Sequence, residues 1–170
     1  MKYVILGNGI AGVCAAEMIR QLDPEGRITM VADETFRPYS RPMISMVLAG
    51  QVTSDQLPIR SKSFYENVRI APVLGNRVSG IDVDQKSVMI DNGTSLPFDR
   101  LLIATGADPR PIKAEGLDLK NIFFMRTAAH IRNMLAVIPQ TQKALVLGGG
   151  LVGFKAAYGR LQRGLDVTML

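Results

Sequence analysis

Apolar residues along this chain fall into short runs separated by turn-forming residues, and the runs come in two kinds. Tyr3–Leu6 is a continuous apolar strand, followed by the turn Gly7–Gly12 and a small-residue helix over about Val13–Leu22. Asp23-Pro24-Glu25-Gly26 ends that helix, and Arg27–Val31 reads as a second strand, so the first unit is βαβ and closes at Asp33. Phe36–Ser45 (FRPYSRPMIS) is a loop rich in Pro and Arg, leading to a helix near Met43–Ala49. Ser61–Tyr65 reads as short helical or irregular chain, and Val68–Ile70 as a short strand. From Val73 to Ile103 the pattern turns antiparallel: Arg77–Val83 and Ser87–Asp91 alternate around Asp84-Gln85-Lys86, and Asp91-Asn92-Gly93 signals a hairpin. Arg100–Ala104 then predicts a buried strand, Thr127–Val137 a helix, and Ala144–Leu147, Val152–Arg163 and Leu165–Leu170 a second βαβ unit.

The two βαβ units are copies of one pattern. Lys2–Ala16 reads KYVILGNGIAGVCAA and Lys143–Ala157 reads KALVLGGGLVGFKAA, each an apolar strand running into G-x-G-x-x-G and a helix. Gly7, Gly9, Gly12 and Ala15 match Gly148, Gly150, Gly153 and Ala156, and Ile28–Val31 matches Val167–Leu170. In such a turn the first glycine permits the bend out of the strand. The second lets the backbone touch a diphosphate, and the third lets helix and strand pack closely. Free N–H groups at the helix start then face the phosphates: Ile10 and Ala11 in the first copy, Leu151 and Val152 in the second. Asp33 lies 21 residues beyond Gly12 (33 − 12), where a carboxylate would hold the ribose of an adenosine, with Glu34 as the backup. In the second copy the equivalent offset falls at position 172, past Leu170, so the choice between NAD and NADP is not readable. Lys155 stands where the first copy has Cys14. A cation there opposes the helix dipole, so either an anionic cofactor phosphate compensates it or its stem covers apolar surface in solvent.

The bulk numbers narrow the rest. Of 170 residues, 47% are hydrophobic and 21% charged, an ordinary globular composition that can bury a core. The net charge of +5 is dispersed, which describes a solvated surface rather than a nucleic-acid footprint. No apolar run reaches the length that crosses a bilayer, and the first residues are already strand and glycine turn rather than a secretory signal, so the expectation is a cytoplasmic protein with no membrane. The lone Cys14 excludes an internal disulfide and a cysteine metal cluster; its place among alanines predicts burial against the sheet. His130, the single histidine, reads as structural or solvated. No Ser-His-Asp set, paired catalytic carboxylates or metal-ligand cluster is visible. No catalytic residue and no metal site are therefore assigned, as expected where cofactors carry the chemistry.

The ordered set GNGIAG, Asp33, RPYSRPMIS, LLIATGADPRP and GGGLVG resembles the pyridine nucleotide-disulfide oxidoreductase superfamily over nearly the whole chain. Within it the chain is most similar to the flavin reductases without a catalytic disulfide, such as the rubredoxin and ferredoxin reductases and the flavin part of NADH-dependent nitrite reductase. The resemblance implies FAD at the first turn and NAD(P)H at the second. It also implies Arg41 and Pro42 against the flavin and its phosphates, Val78 at the strand position whose backbone reads adenine, Ala104, Thr105 and Gly106 as a turn that lets the ligand approach, and Arg110 beside the flavin. Arg126 falls in the stretch resembling the family's connector. No cysteine occurs between Asp33 and Gly50, which argues against disulfide-reductase chemistry. Met46 follows Ser45 where many ferredoxin reductases carry lysine, and Lys155 stands where many relatives carry Glu.

The expected fold class is therefore α/β. A Rossmann-like FAD-binding domain with an antiparallel β-meander excursion covers residues 1–112, a connector 113–142, and the first βαβ unit of a second, NAD(P)-binding domain 143–170. A lone βαβ unit leaves unpaired sheet edges, so the chain is expected to be the front part of a longer protein. The expected function is an FAD-dependent NAD(P)H oxidoreductase that passes electrons to a small redox protein or a downstream redox centre. The alternatives are a non-catalytic nucleotide-binding module, an inactive fragment, or a simple NAD dehydrogenase, the last weakened because one cofactor needs one glycine turn.

Overall fold

A computed structural model describes all residues from Met1 to Leu170. The chain divides into two compact units, one of residues 1–39 and 58–107, the other of residues 40–57 and 108–170.

The first unit is built on a parallel sheet. Strands β1 (Lys2–Leu6), β2 (Arg27–Ala32), β3 (Ile70–Leu74) and β7 (Arg100–Ile103) lie in the order β3-β2-β1-β7. Between β3 and β7 the chain makes an antiparallel meander of β4 (Val78–Asp82), β5 (Ser87–Ile90) and β6 (Ser95–Pro97). Helix α1 (Ile10–Leu22) follows β1, and the one-turn α3 (Phe64–Asn67) precedes β3. The central strand explains the layering. Val4, Ile5 and Leu6 are all buried, which a continuous apolar run requires when both faces of a parallel sheet are covered. Ile5 joins Val13 and Ala16 of α1, Phe64 of α3, and Ile28, Met30 and Ile70 on one side. Val4 and Leu6 join Val31, Val88 and Ile90 on the other, where the meander packs. Arg20 ties the helix end to the sheet: its guanidinium donates to the carbonyls of Asp23, Pro24, Gly26, Val68 and Arg69.

The second unit contains β8 (Lys143–Val146) and β9 (Asp166–Met169), a parallel pair joined by α5 (Leu151–Leu161). Helices α2 (Ile44–Ala49) and α4 (Ala128–Val137) belong to it. α2 and α5 are fastened at three points. Gly159 lies under the Leu48 side chain, Arg163 donates to the carbonyls of Leu48 (2.8 Å) and Val47 (3.1 Å), and Gln51 donates to the Tyr158 hydroxyl at 3.1 Å. Arg160 is buried over the Phe123 ring, 5.8 Å from its centroid, and burial holds its guanidinium below its ordinary pKa. No helix is long and apolar enough to cross a membrane.

Four local expectations are corrected. α1 starts at Ile10, three residues early, because Gly9 in extended conformation is already its N-cap. The strand expected at Val68–Ile70 is Ile70–Leu74 and pairs in parallel with β2, since Val68 and Arg69, the latter at φ +51, close the α3 turn. The strand Arg100–Ile103 is not buried: it is the edge strand next to β1, and Ile103 is 62% exposed. Cys14 is exposed rather than packed on the sheet, because Val13 and Ala16 take the inward face of α1.

Candidate nucleotide-binding site

The ends of three parallel strands meet at one edge of the first unit. Leu6 is level with Val31 on one side and Ile103 on the other, so the turns after β1, β2 and β7 emerge together. Two hydrogen bonds stitch them: the Gly7 N–H donates to Val31 O and the Ala104 N–H to Leu6 O, both at 2.7 Å. The carboxyl edge of such a sheet is where open α/β folds bind ligands.

Gly7 has φ +116, and a Cβ built there would run into the Ala104 carbonyl. The turn after β1 thus meets the backbone of Ala104 and Thr105, which explains the glycine at position 7. Gly12 performs the helix-packing role, since a Cβ there would overlap the Gly7 carbonyl oxygen. Gly9 differs. Its φ of −84° and ψ of −176° suit any residue, yet a Cβ would meet nothing within 4 Å. Its smallness serves open space in front of the helix, not internal packing.

That space faces donors. No side chain caps α1, and the first intrahelical bond runs from the Val13 N–H to Gly9 O, leaving the N–H groups of Ile10, Ala11 and Gly12 without helical acceptors. Ile10 itself is 59% exposed. Three free amides at the positive end of a helix, in front of a glycine with room for another molecule, suit an anionic group such as a diphosphate. A dinucleotide therefore fits the residues present.

The two acids after β2 are distinguishable. Asp33 is exposed just past the strand, whereas the Glu34 carboxylate accepts a hydrogen bond from the Tyr39 hydroxyl at 2.7 Å. Asp33 is the one available to a sugar. Val78 opens β4 opposite Ile90, immediately before an irregularity in the ladder. Arg41 and Pro42 start a 3₁₀ turn leading into α2 and belong to the second unit, as does the exposed Arg110. The Arg41 guanidinium donates to the Arg126 carbonyl at 3.2 Å. No group of three or more His, Cys, Asp or Glu side chains lies close enough to hold a metal ion.

The second glycine turn repeats the first, save that nothing stands beside Gly148 where Ala104 stands beside Gly7. Gly148 has φ +108, and its N–H donates to Leu170 O at 2.7 Å, as Gly7 does to Val31. Gly150 caps α5 at φ −81° and ψ 176°, and a Cβ there meets nothing within 4 Å. A Cβ on Gly153 would overlap Gly148 O. The Phe154 N–H makes the first helical bond to Gly150 O at 3.0 Å, leaving Leu151, Val152 and Gly153 as free donors.

Two contacts escaped the sequence reading, one of them at His130, whose structural reading is met by a cap. Tyr39 occupies Glu34. His130 caps α4: the Thr127 Oγ1 accepts from the His130 N–H, and the ring Nδ1 accepts from the backbone N–H of Thr127 and Arg126. Thr three residues before a polar side chain at a helix start was the available signal.

The chain matches the family described as pyridine nucleotide-disulphide oxidoreductase over residues 1–170. It belongs to that family. Among curated relatives, it is 32% identical to a rubredoxin-NAD(+) reductase of Pseudomonas putida over all of this chain and 44% of that one. It is 34% identical to a nitrite reductase [NAD(P)H] of Bacillus subtilis over 99% of this chain and 21% of that one. Among solved structures, the reductase of a covalent putidaredoxin reductase–putidaredoxin complex matches with a TM-score of 0.88 and 32% identity, over 99% of this chain and 41% of that one. The chain thus spans less than half the length of these relatives. The mixed α/β fold expected from the sequence is the fold of this family.

Proposed function

We propose that this chain forms the FAD-binding front and the opening of the NAD(P)-binding part of an NAD(P)H oxidoreductase that hands electrons to a small redox protein or a downstream redox centre. Residues 1–112 contribute the first FAD segment, 113–142 the connector, and 143–170 the start of the NAD(P) part. The observation that carries the reading is the pair of equivalent glycine turns, each with three free amides at an uncapped helix start. Two such turns in one chain suit two dinucleotides, and two dinucleotides together suit hydride exchange between them. Relatives named as rubredoxin and nitrite reductases, and a neighbour joined to putidaredoxin, support a carrier protein as the acceptor. Consumption of NAD(P)H and a single unpaired thiol suit the cytoplasm.

The roles follow from the residues. A flavin held there would supply hydride acceptance from NAD(P)H and one-electron release. Ile10, Ala11 and Gly12 hold its diphosphate through backbone N–H groups, and Gly9 leaves room for it. Asp33 accepts from the adenosine ribose, Val78 presents backbone to the adenine, and the Ala104-Thr105-Gly106 turn closes against the cradle. Arg41, Pro42 and Arg110 attend the flavin end. Leu151, Val152 and Gly153, with Gly148 and Gly150, hold the NAD(P)H diphosphate. No side chain is given a chemical step.

Reconstitution with FAD followed by anaerobic mixing with NADH tests the reading. Yellow protein whose absorbance near ~450 nm bleaches is the expected result. A protein that stays colourless in excess FAD overturns it, and flavin that binds without bleaching reduces it to a nucleotide-binding module.

A further inference from the structure

A cavity of about 330 Å³ in the second unit lies beside α2 and α5, walled by Pro42, Met43, Met46 and Tyr158, with Ser45, Gln51 and Lys155 as its polar members. Two of those polar groups are engaged within the protein: the Ser45 hydroxyl donates to Pro42 O at 3.1 Å, and the Gln51 amide donates to the Tyr158 hydroxyl. Lys155 is the single charged side chain on the wall, and no carboxylate faces it there. The cavity is therefore largely apolar, with one positive charge on its wall.

Its place along α5 says what reaches it. Leu151, Lys155 and Tyr158 follow at spacings of four and three and share one helix face. Leu151 supplies one of the free amides assigned above to the NAD(P)H diphosphate, and Lys155 and Tyr158 lie about 6 and 10 Å further along the axis at ~1.5 Å per residue. A dinucleotide extends two nucleosides from its diphosphate. The repeat assigns the adenosine arm to the end of β9, as Asp33 follows β2 in the first copy, so the nicotinamide arm is left for the Leu151–Tyr158 face. Hydride loss changes that ring from a neutral dihydropyridine to a pyridinium cation.

We propose that Lys155 is a redox-state discriminator: its ammonium in this otherwise apolar cavity disfavours the cationic ring of NAD(P)⁺ and favours the neutral ring of NAD(P)H, so that the spent cofactor is expelled. The inference rests on the assignment of NAD(P)H to the second turn. It differs from a phosphate-gripping lysine, which would strengthen both redox forms alike because their phosphates carry equal charge.

The test is calorimetric titration of the FAD-loaded protein with NAD⁺ and with 1,4,5,6-tetrahydro-NAD, whose ring is neutral and cannot give up hydride, together with the NADP pair. The readout is the ratio of the two dissociation constants, oxidised over neutral. Lys155→Gln is expected to lower that ratio by about tenfold, a difference of about 1.4 kcal/mol, and Lys155→Glu to lower it further. An unchanged ratio overturns the proposal, whether affinity for both forms holds or falls together; the second pattern identifies a phosphate contact. Wild-type protein that binds neither form in either series overturns the NAD(P)H assignment itself. Melting curves of both variants separate misfolding from a lost charge.

Discussion

Replacing Gly12 by alanine adds one methyl group where the protein has no room, and replacing Gly9 adds the same group where it has room to spare. A Cβ on Gly12 overlaps the Gly7 carbonyl oxygen and stands 3.2 Å from Ile5 Cγ2. The obstacle is backbone, so relief requires α1 to move off β1, disturbing Ile5 and Val13 in the core. Overpacking of this kind costs about 1–3 kcal/mol or more, and alanine's helix preference returns about 1 kcal/mol. Because the obstacle is backbone, the upper end of that cost applies and a net loss of about 2 kcal/mol is expected, a fall in Tm of about 2–4 °C per kcal/mol for a protein this size. Gly9→Ala should leave unfolding within about 0.5 kcal/mol, because its backbone is extended and its Cβ touches nothing. It should nevertheless weaken FAD binding at least tenfold, since the methyl enters the space assigned to the diphosphate. Thermal and urea unfolding of the cofactor-free protein, with flavin-fluorescence titration, reads both variants. A Gly9→Ala protein that binds FAD as tightly as the parent refutes the cradle. A Gly12→Ala protein of undiminished stability refutes the packing argument.

Asp33→Asn should weaken FAD about tenfold in the same titration, while Glu34→Gln changes it less, because Tyr39 already occupies that carboxylate. Arg60 binds Glu17 through two bonds of 2.7 and 2.9 Å and holds its carboxyl below the usual carboxylate range. The depressed pKa means the stabilisation is complete above the ordinary glutamate range and is lost as pH falls through the folded-state value. Since both side chains are nearly a third exposed, Glu17→Gln should cost about 1 kcal/mol at pH 7 and little at low pH, read from urea midpoints. Arg20→Lys should cost about 2–3 kcal/mol, because an ammonium cannot reach the five carbonyls that the planar fork spans. Exposed Cys14 should react with one equivalent of a thiol reagent in native protein at a rate that denaturant barely increases.

The parts most legible in the sequence are those where one physical requirement fixes the residue type. A strand that must bend and admit a neighbouring backbone needs Gly7, and a helix that must lie on a carbonyl needs Gly12, so both turns could be read directly. The parallel placement of Ile70–Leu74 was not legible, because the continuous apolar run Ile-Ala-Pro-Val-Leu has the same pattern whichever neighbour it pairs with. The exposure of Leu102 and Ile103 follows from which strand stands at the edge, and β7's apolar sequence does not encode that. Cys14 was misplaced because flanking alanines fit either helix face. Within the candidate site, the bend at Gly7 and the close packing at Gly12 were readable, but the occupation of Glu34 by Tyr39 depends on a loop closing back on itself. The Lys155 cavity needed two helices 100 residues apart in sequence to be brought side by side.

The bond from the Gly7 N–H to Val31 has a consequence for how fast a ligand can be captured. That turn is the last rung of a ladder continuing through Leu6, so its shape is fixed before any guest arrives. A guest meets a finished mould and spends little of its attraction on arranging the host. Capture should then be governed by encounter rather than rearrangement, with a single kinetic phase whose rate rises in proportion to the guest's concentration.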